Sequence, residues 1–140
     1  PVNTRILVPM DGSEMSQRAL EYALENYPDA EIAVLHVARG SSAMGGAATE
    51  LDLAEDLEEA AEERAREIFD HARELAAEQD DEVNTEVQFG HPARAILNRA
   101  EEFDVIVIGS HGGSMSDQVF VGNVAQKVFR RSPVPVTFVR

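Results

Sequence analysis

The chain alternates short apolar runs with longer stretches in which apolar residues recur every three or four positions. Continuous apolar runs are typical of strands buried on both faces of a parallel sheet, whereas the longer spacing is typical of amphipathic helices. The predicted strands are Thr4 to Pro9, Glu31 to Ala38, Glu82 to Phe89, Asp104 to Gly109 and Val134 to Val139. The third alternates apolar and polar side chains, which favours a position near an edge of the sheet.

Four predicted helices connect these strands, and they begin at Ser13, Glu50, Pro92 and Gly122. The second runs to about Gln79, so it is roughly 45 Å long, and it carries one narrow apolar stripe. We expect that stripe to pack on the sheet, with a coiled-coil or partner-helix role as the alternative. The pattern as a whole predicts a single α/β domain over residues 1–140, a Rossmann-like, doubly wound sheet of five parallel strands with four helices.

Composition narrows the possible chemistry and location. The sequence contains no cysteine, which excludes disulfides, thiolate catalysis and cysteine-bound zinc. Its longest uninterrupted apolar runs, such as Val105 to Ile108, are far too short to cross a bilayer, and no apolar signal region follows the first charge. We therefore expect a cytoplasmic protein without a membrane partner.

The charge balance is strongly acidic. Twenty-six acidic residues against 12 basic ones give a net charge of -14, and Lys127 is the only lysine. Such a surface repels phosphate backbones and disfavours a nucleic-acid partner. A halophile-like source is our hypothesis, because concentrated salt would screen the self-repulsion of this surface. Equal stability of the protein in low and in molar salt would contradict it.

Candidate chemistry concentrates where the predicted strands end, because ligands of open parallel sheets bind beyond the carboxyl ends of the strands. The stretch from Gly109 to Val124 is the richest in glycine and small polar residues. Exposed amides at a helix start near Gly122 could hold an anion, and the nine residues between Gly112 and Gly122 could enclose a phosphate tail. The alternative is that these glycines serve only the turns of the chain.

The spacing Gly109-x2-Gly112-x9-Gly122-Asn123 resembles the ATP-binding signature of the universal stress protein family. Other segments are similar to the family in the same order along the chain: VPMDGS at 8–13, LHVA at 35–38, GHPARAIL at 90–97 and SPVPVTFVR at 132–140. The resemblance implies an adenine nucleotide alpha hydrolase-like fold and a regulatory stress-response protein. Its implied ligand is ATP with Mg²⁺, and its implied assembly is a homodimer paired through the last strand, Val134 to Val139.

The resemblance also implies roles for individual residues of the site. Asp11 would contact the nucleoside, the backbone of Val37 would recognise the adenine edge, and the two glycine-containing segments would bind ribose and phosphates. The implied cofactor-binding residues are Pro9, Met10, Asp11, Val37, Ile108, Gly109, His111, Gly112, Gly122, Asn123 and Val124. No catalytic residue and no protein metal ligand is implied.

Three positions depart from the family pattern. Asn123 replaces a hydroxyl residue, Gly113 stands where many members carry arginine, and Met115 stands where many carry glycine. The outer phosphates of a triphosphate therefore lose assistance, so AMP or ADP could compete with ATP.

Two other functions remain open. A family member that binds no nucleotide would act only as a dimerising partner. An enzyme that uses Asp11 as its phosphoacceptor is the less favoured alternative, because no second aspartate accompanies Asp11 and Lys127 is predicted in mid-helix. We expect at most slow ATP hydrolysis, because the sequence offers no Walker-type lysine and no obvious base to orient water.

Overall fold

The computed structural model describes residues 4–38, 51–110 and 118–140, with the side chains of all of these except residues 51–54 and 118–121. Five strands and four helices alternate along the described part of the chain, and the helix between the second and third strands is the longest. The elements are β1 (Arg5–Pro9), α1 (Glu14–Asn26), β2 (Glu31–Ala38), α2 (Leu51–Glu78), β3 (Val83–Phe89), α3 (Pro92–Ala100), β4 (Val105–Gly109), α4 (Gln118–Arg131) and β5 (Val136–Val139).

All five strands lie parallel in one sheet, in the order β3-β2-β1-β4-β5. One core cluster joins the sheet to α1 and α2, and a second joins the opposite face to α3 and α4. This arrangement confirms the predicted doubly wound sheet of five strands and four helices. It also confirms the edge position of β3, and it leaves β5 at the other edge.

The long helix α2 uses its apolar stripe on the sheet over its second half. Ala65, Ile68, Phe69, Ala72 and Ala76 are all buried in the first core cluster. Residues 55–64 are exposed or only half-buried, so this part of the helix extends beyond the body of the domain. Packing on the sheet is therefore confirmed for residues 65–76, and a role for the preceding turns stays a prediction.

Two predicted boundaries are wrong in ways that affect the candidate site. Helix α4 begins at Gln118 rather than Gly122, because apolar residues at helical spacing continue from Val124 back to Val121. Strand β5 begins at Val136 rather than Val134, because the side chain of Ser132 bonds to both backbone groups of Val134. Those bonds form a turn at residues 132–134. Pairing with β4 begins after the turn, where the amide of Ile106 donates to the carbonyl of Pro135.

No helix in the described ranges is long and apolar enough to cross a membrane.

Candidate functional site

The pairing of β1 with β4 ends before the carboxyl edge of the sheet, at the place where a doubly wound fold leaves a crevice. Strand β1 pairs with β2 over five residues, as far as Pro9 and Leu35, but its register with β4 covers only two pairs. The upper of these joins Leu7 to Ile106, although both strands continue beyond it. The strand order reverses at β1, which is where open α/β sheets bind their ligands.

The turn after β1 brings Asp11 to the mouth of this crevice. The buried residue Met10 donates its amide to the carbonyl of Leu35 at 2.8 Å, so the turn starts from a fixed point on β2. Asp11 is exposed, and its Oδ1 accepts from the amide of Ser13 at 2.9 Å. Gly12 has φ +85°, a conformation that glycine adopts without steric cost. One oxygen of the Asp11 carboxylate is thereby fixed, and Oδ2 can still accept from a ligand.

Ser13 begins α1 as the sequence predicts. Its hydroxyl accepts from the amide of Ser16 at 3.2 Å, which satisfies one of the unpaired donors of the first turn.

His36 supports the same turn from the neighbouring strand. Its side chain is buried, and Nδ1 lies 2.9 Å from the carbonyl oxygen of Met10. Because a carbonyl only accepts, Nδ1 carries the proton in this contact. His36 is therefore a core histidine whose Nδ1 has a hydrogen-bond partner.

The backbone of Val37 faces the space that β1 leaves. The carbonyl of Leu35 accepts from Met10 on the β1 side of β2, and the carbonyl of Ala38 accepts from Gly90 on the β3 side. Since strand residues alternate in direction, the amide and carbonyl of Val37 point toward β1, beyond its last pair. Neither group has a backbone partner within residues 4–38, 51–110 and 118–140. An adjacent donor and acceptor of this kind match the edge of a base.

Gly109 has a packing role at the end of β4. A β-carbon at this position would lie 3.0 Å from the backbone carbonyl carbon and oxygen of Met15, in the first turn of α1. That is tighter than nine in ten real contacts of a β-carbon, so a side chain here would push the backbone of α1 away by a few tenths of an ångström. Ile108, which precedes it, is buried in the second core cluster.

Gly122 lies against the residue that follows β4. Outside its own helix, the described atom that would lie nearest to a β-carbon added to it is the carbonyl oxygen of Ser110, at 4.0 Å, so the described residues leave the space beside Gly122 open. Because α4 begins four residues earlier, the amide of Gly122 falls in the second turn, where helical amides bond to the preceding turn. The predicted set of free helix-start amides therefore moves toward Gln118.

The structure brings together most of the predicted site residues. Pro9, Met10, Asp11, Val37, Ile108, Gly109, Gly122, Asn123 and Val124 all lie at or directly beyond the carboxyl ends of the strands, or in the first turns of α4. Asn123 is exposed, and Val124 is half-buried against the second core cluster. His111 and Gly112 lie outside the described residues, as do Gly113, Ser114, Met115 and Ser116.

Arg64 is a residue of this region that the sequence did not indicate. It comes from α2, and its Nη2 donates to the carbonyl of Asp11 at 3.3 Å. A cleft of about 120 Å³ lies between α2, the turn after β1 and the start of α1, and Arg64, Gly12 and Gln17 line it. The helical pattern of α2 predicts which face packs on the sheet, but not which turn reaches the carboxyl edge.

No cluster of three or more histidine, aspartate or glutamate side chains that could hold a metal ion occurs in the part of the chain that the structure describes.

The strand order and its reversal at β1 define a doubly wound α/β protein. Comparison with known proteins identifies the family. The family model described as the universal stress protein family matches residues 3–140, and the chain belongs to that family.

One curated relative and one solved structure resemble the chain over its whole length. Universal stress protein YxiE of Bacillus subtilis (strain 168) is 35% identical over 145 residues, which cover 97% of this chain and 98% of the relative. The structure of universal stress protein UspA from Lactobacillus plantarum superimposes with a TM-score of 0.83 at 24% identity and covers 100% of both chains.

Two further structures of the same fold contain adenine nucleotides. One is the universal stress protein from Archaeoglobus fulgidus in complex with dAMP, with a TM-score of 0.69, 21% identity and full coverage of both chains. The other is an Arabidopsis thaliana protein of the family with AMP bound, with a TM-score of 0.69, 16% identity and coverage of 97% and 90%. At these identities the likeness concerns the fold.

Proposed function

We propose that this universal stress protein binds an adenine nucleotide in the crevice between β1 and β4 and acts as a small regulatory homodimer. The observation that carries the proposal is the backbone of Val37, which faces the gap left by β1 and has no backbone partner among the residues that the structure describes. The nucleotide complexes of two family members support it.

At the nucleoside end, adenine fits beside Val37. The base would donate its exocyclic amine to the carbonyl of Val37 and accept from the amide of the same residue. Asp11, held by the amide of Ser13, has a free carboxylate oxygen for a ribose hydroxyl. Pro9 and Met10 are buried where β1 ends.

At the phosphate end, the contacts come from the segment after β4 and from the first turns of α4. The open space at Gly122 lets a phosphate approach the helix closely, and the positive end of the helix dipole favours an anion. The amide of Asn123 could donate as well, since its side chain is exposed.

Magnesium would arrive with ATP, held mainly by phosphate oxygens and water, as is usual for this ion. The residues around Gly122 offer the Asn123 amide rather than a hydroxyl or a carboxylate. The Asn123 amide and the weakened outer-phosphate contacts together reduce the advantage of ATP. We therefore expect AMP and ADP to bind with affinities comparable to that of ATP.

The homodimer would form through β5, an edge strand whose unpaired backbone groups need a partner or a cover. Phe129 and Phe138 are exposed beside it, with ring centroids 5.5 Å apart. Residues 118–140 contain four basic residues and no acidic one, so two acidic molecules can meet here without opposing carboxylates.

A cytoplasmic location and the one-domain boundaries 1–140 stay predictions of the same proposal.

Calorimetric titration of the native protein with AMP and with Mg·ATP tests the binding. We expect both ligands to bind, with affinities within about tenfold of each other. Gly122→Val should abolish the binding of ATP, since the side chain fills the phosphate approach. If neither nucleotide bound at millimolar concentration, the proposal would be wrong. ATP binding a hundredfold tighter than AMP, about 2.7 kcal/mol, would contradict the expected competition alone.

A further inference from the structure

Arg64 contacts the turn after β1 from a distant part of the chain. Its Nη2 donates to the carbonyl oxygen of Asp11 at 3.3 Å, across 53 residues of sequence. The guanidinium also lies directly over Gly12, because a β-carbon there would be 2.7 Å from Nη2 and 3.2 Å from Cζ. A side chain at position 12 would therefore displace the guanidinium, which is the flexible end of Arg64.

The backbone of α2 at Arg64 is held in place by the packing of the residues that follow it. The next residue, Ala65, is the first buried residue of α2 in the described side chains, and Ile68 is buried one turn further on. Ile68 Cγ1 would lie 3.4 Å from the same added β-carbon at Gly12, which is ordinary contact. The helix thus seats the guanidinium on the turn.

Three other polar groups of the turn are held by β2 or by the start of α1. The amide of Met10 donates to Leu35, its carbonyl accepts from His36, and the Asp11 carboxylate accepts from Ser13. The carbonyl of Asp11 has Arg64 as its hydrogen-bond partner, and the structure describes no other partner for it in residues 4–38, 51–110 and 118–140.

This carbonyl belongs to the peptide plane that joins Asp11 to a glycine. With φ +85° at Gly12 and no β-carbon, that plane can rotate at little steric cost unless a hydrogen bond prevents it. Rotation changes ψ of Asp11 and φ of Gly12, two of the angles that set the distance from the Asp11 side chain to the amide of Ser13, which holds Oδ1. The direction of the Asp11 carboxylate therefore depends on the bond from Arg64.

We propose that Arg64 is a positioning residue that aims the Asp11 carboxylate at the ribose of the bound nucleotide and so distinguishes ribonucleotides from 2′-deoxyribonucleotides. This inference rests on the proposed nucleotide site, whose sugar-binding group it specifies. Arg64 acts through the peptide of Asp11 and needs no contact with phosphate.

The test compares Arg64→Met with Arg66→Met, which removes the same charge two residues further along α2. Arg66 is exposed and paired with Glu63 at 2.7 Å, so it serves as the matched control. Calorimetry with AMP and 2′-deoxy-AMP should show AMP binding weakened about fivefold by Arg64→Met, the effect of losing one exposed charged hydrogen bond. Binding of 2′-deoxy-AMP should change less than twofold, and Arg64→Lys should recover most of the loss. Arg66→Met should leave both affinities within twofold.

A second measurement needs no nucleotide. In the free protein, the ¹H–¹⁵N heteronuclear NOE of Gly12 and Ser13 should fall in Arg64→Met and remain unchanged in Arg66→Met. An unchanged NOE would contradict the positioning role.

The remaining outcomes separate the two proposals. If the native protein binds AMP and Arg64→Met binds AMP and 2′-deoxy-AMP just as the native protein does, the inference about Arg64 is wrong and the nucleotide site stands. A loss that grows from adenosine through AMP to ATP would mean direct phosphate contact and would also overturn it. No binding of AMP by the native protein would remove the site itself and the ribose role with it.

Discussion

At the residue scale, two glycines of the family signature have different physical reasons to be glycine. Gly109 leaves room for the backbone of Met15, so its role is in packing α1 on β4. Gly122 has open space where a side chain would stand, so packing within the described residues does not require glycine there. A phosphate that approaches α4 would require it.

Alanine should therefore lower the free energy of unfolding at position 109, whereas at position 122 it should raise the free energy of unfolding and lower the affinity for nucleotide. Gly109→Ala should lower the free energy of unfolding by about 1–3 kcal/mol, the usual cost of overpacking. Gly122→Ala should raise it by up to about 1 kcal/mol, because alanine favours a helix interior over glycine, while the affinity for AMP or ATP falls.

Urea denaturation and calorimetry on the two variants measure both quantities. The account would be contradicted if Gly122→Ala kept full nucleotide affinity, or if Gly109→Ala were as stable as the native protein.

The hydrophobic pattern predicts that Asp11 and Val37 lie at strand ends on the carboxyl edge of the sheet. Their roles toward a nucleotide come from the family resemblance alone and stay predictions. Arg64 could not be predicted, because its contact with Asp11 depends on the position of α2 along its own axis relative to the sheet. That position is set by side-chain packing at Ala65 and Ile68 rather than by the period of the helix.

At the scale of the elements, the order and type of all nine helices and strands in the described residues followed from the hydrophobic pattern. Two boundaries are predicted wrongly, one at a glycine and one at a side chain that bonds to the backbone. The pattern places the start of α4 at Gly122, but a helix tolerates an internal glycine at a cost of about 1 kcal/mol. Val134 was included in β5, although Ser132 turns the chain there.

The two edge strands allow a test of the proposed dimer. The amide of Ile106 donates to Pro135 and that of Ser110 donates to Val139, so by alternation the amide of Phe138 faces the free edge of β5. Phe138→Pro removes that amide without breaking a bond to β4, and it should convert the dimer to a monomer.

Val87→Pro makes the same change on the free edge of β3, because the amide of Gly90 donates to Ala38 and alternation turns that of Val87 outward. Light scattering after size exclusion should find Val87→Pro dimeric like the native protein. A monomeric native protein would contradict the proposed assembly, and a dimeric Phe138→Pro would contradict the role of β5.

At the scale of the whole molecule, the charge is unevenly distributed along the chain. Fifteen of the 26 acidic residues lie between Glu50 and Glu82, mostly on the long helix α2, whereas residues 118–140 carry none. A nucleotide entering the crevice would approach α4 and β5, the part of the domain without carboxylates. Main-chain donors and the dipole of α4 can act there with little opposition from the net charge of -14.

A crystal structure after soaking with millimolar Mg·ATP or AMP tests the central claim most directly. The account predicts adenine in the crevice between β1 and β4, with its edge about 3 Å from the backbone nitrogen and oxygen of Val37 and its phosphates beside Gly122. A crevice that stays closed by its own side chains, or a nucleotide bound elsewhere on the domain, would contradict the account.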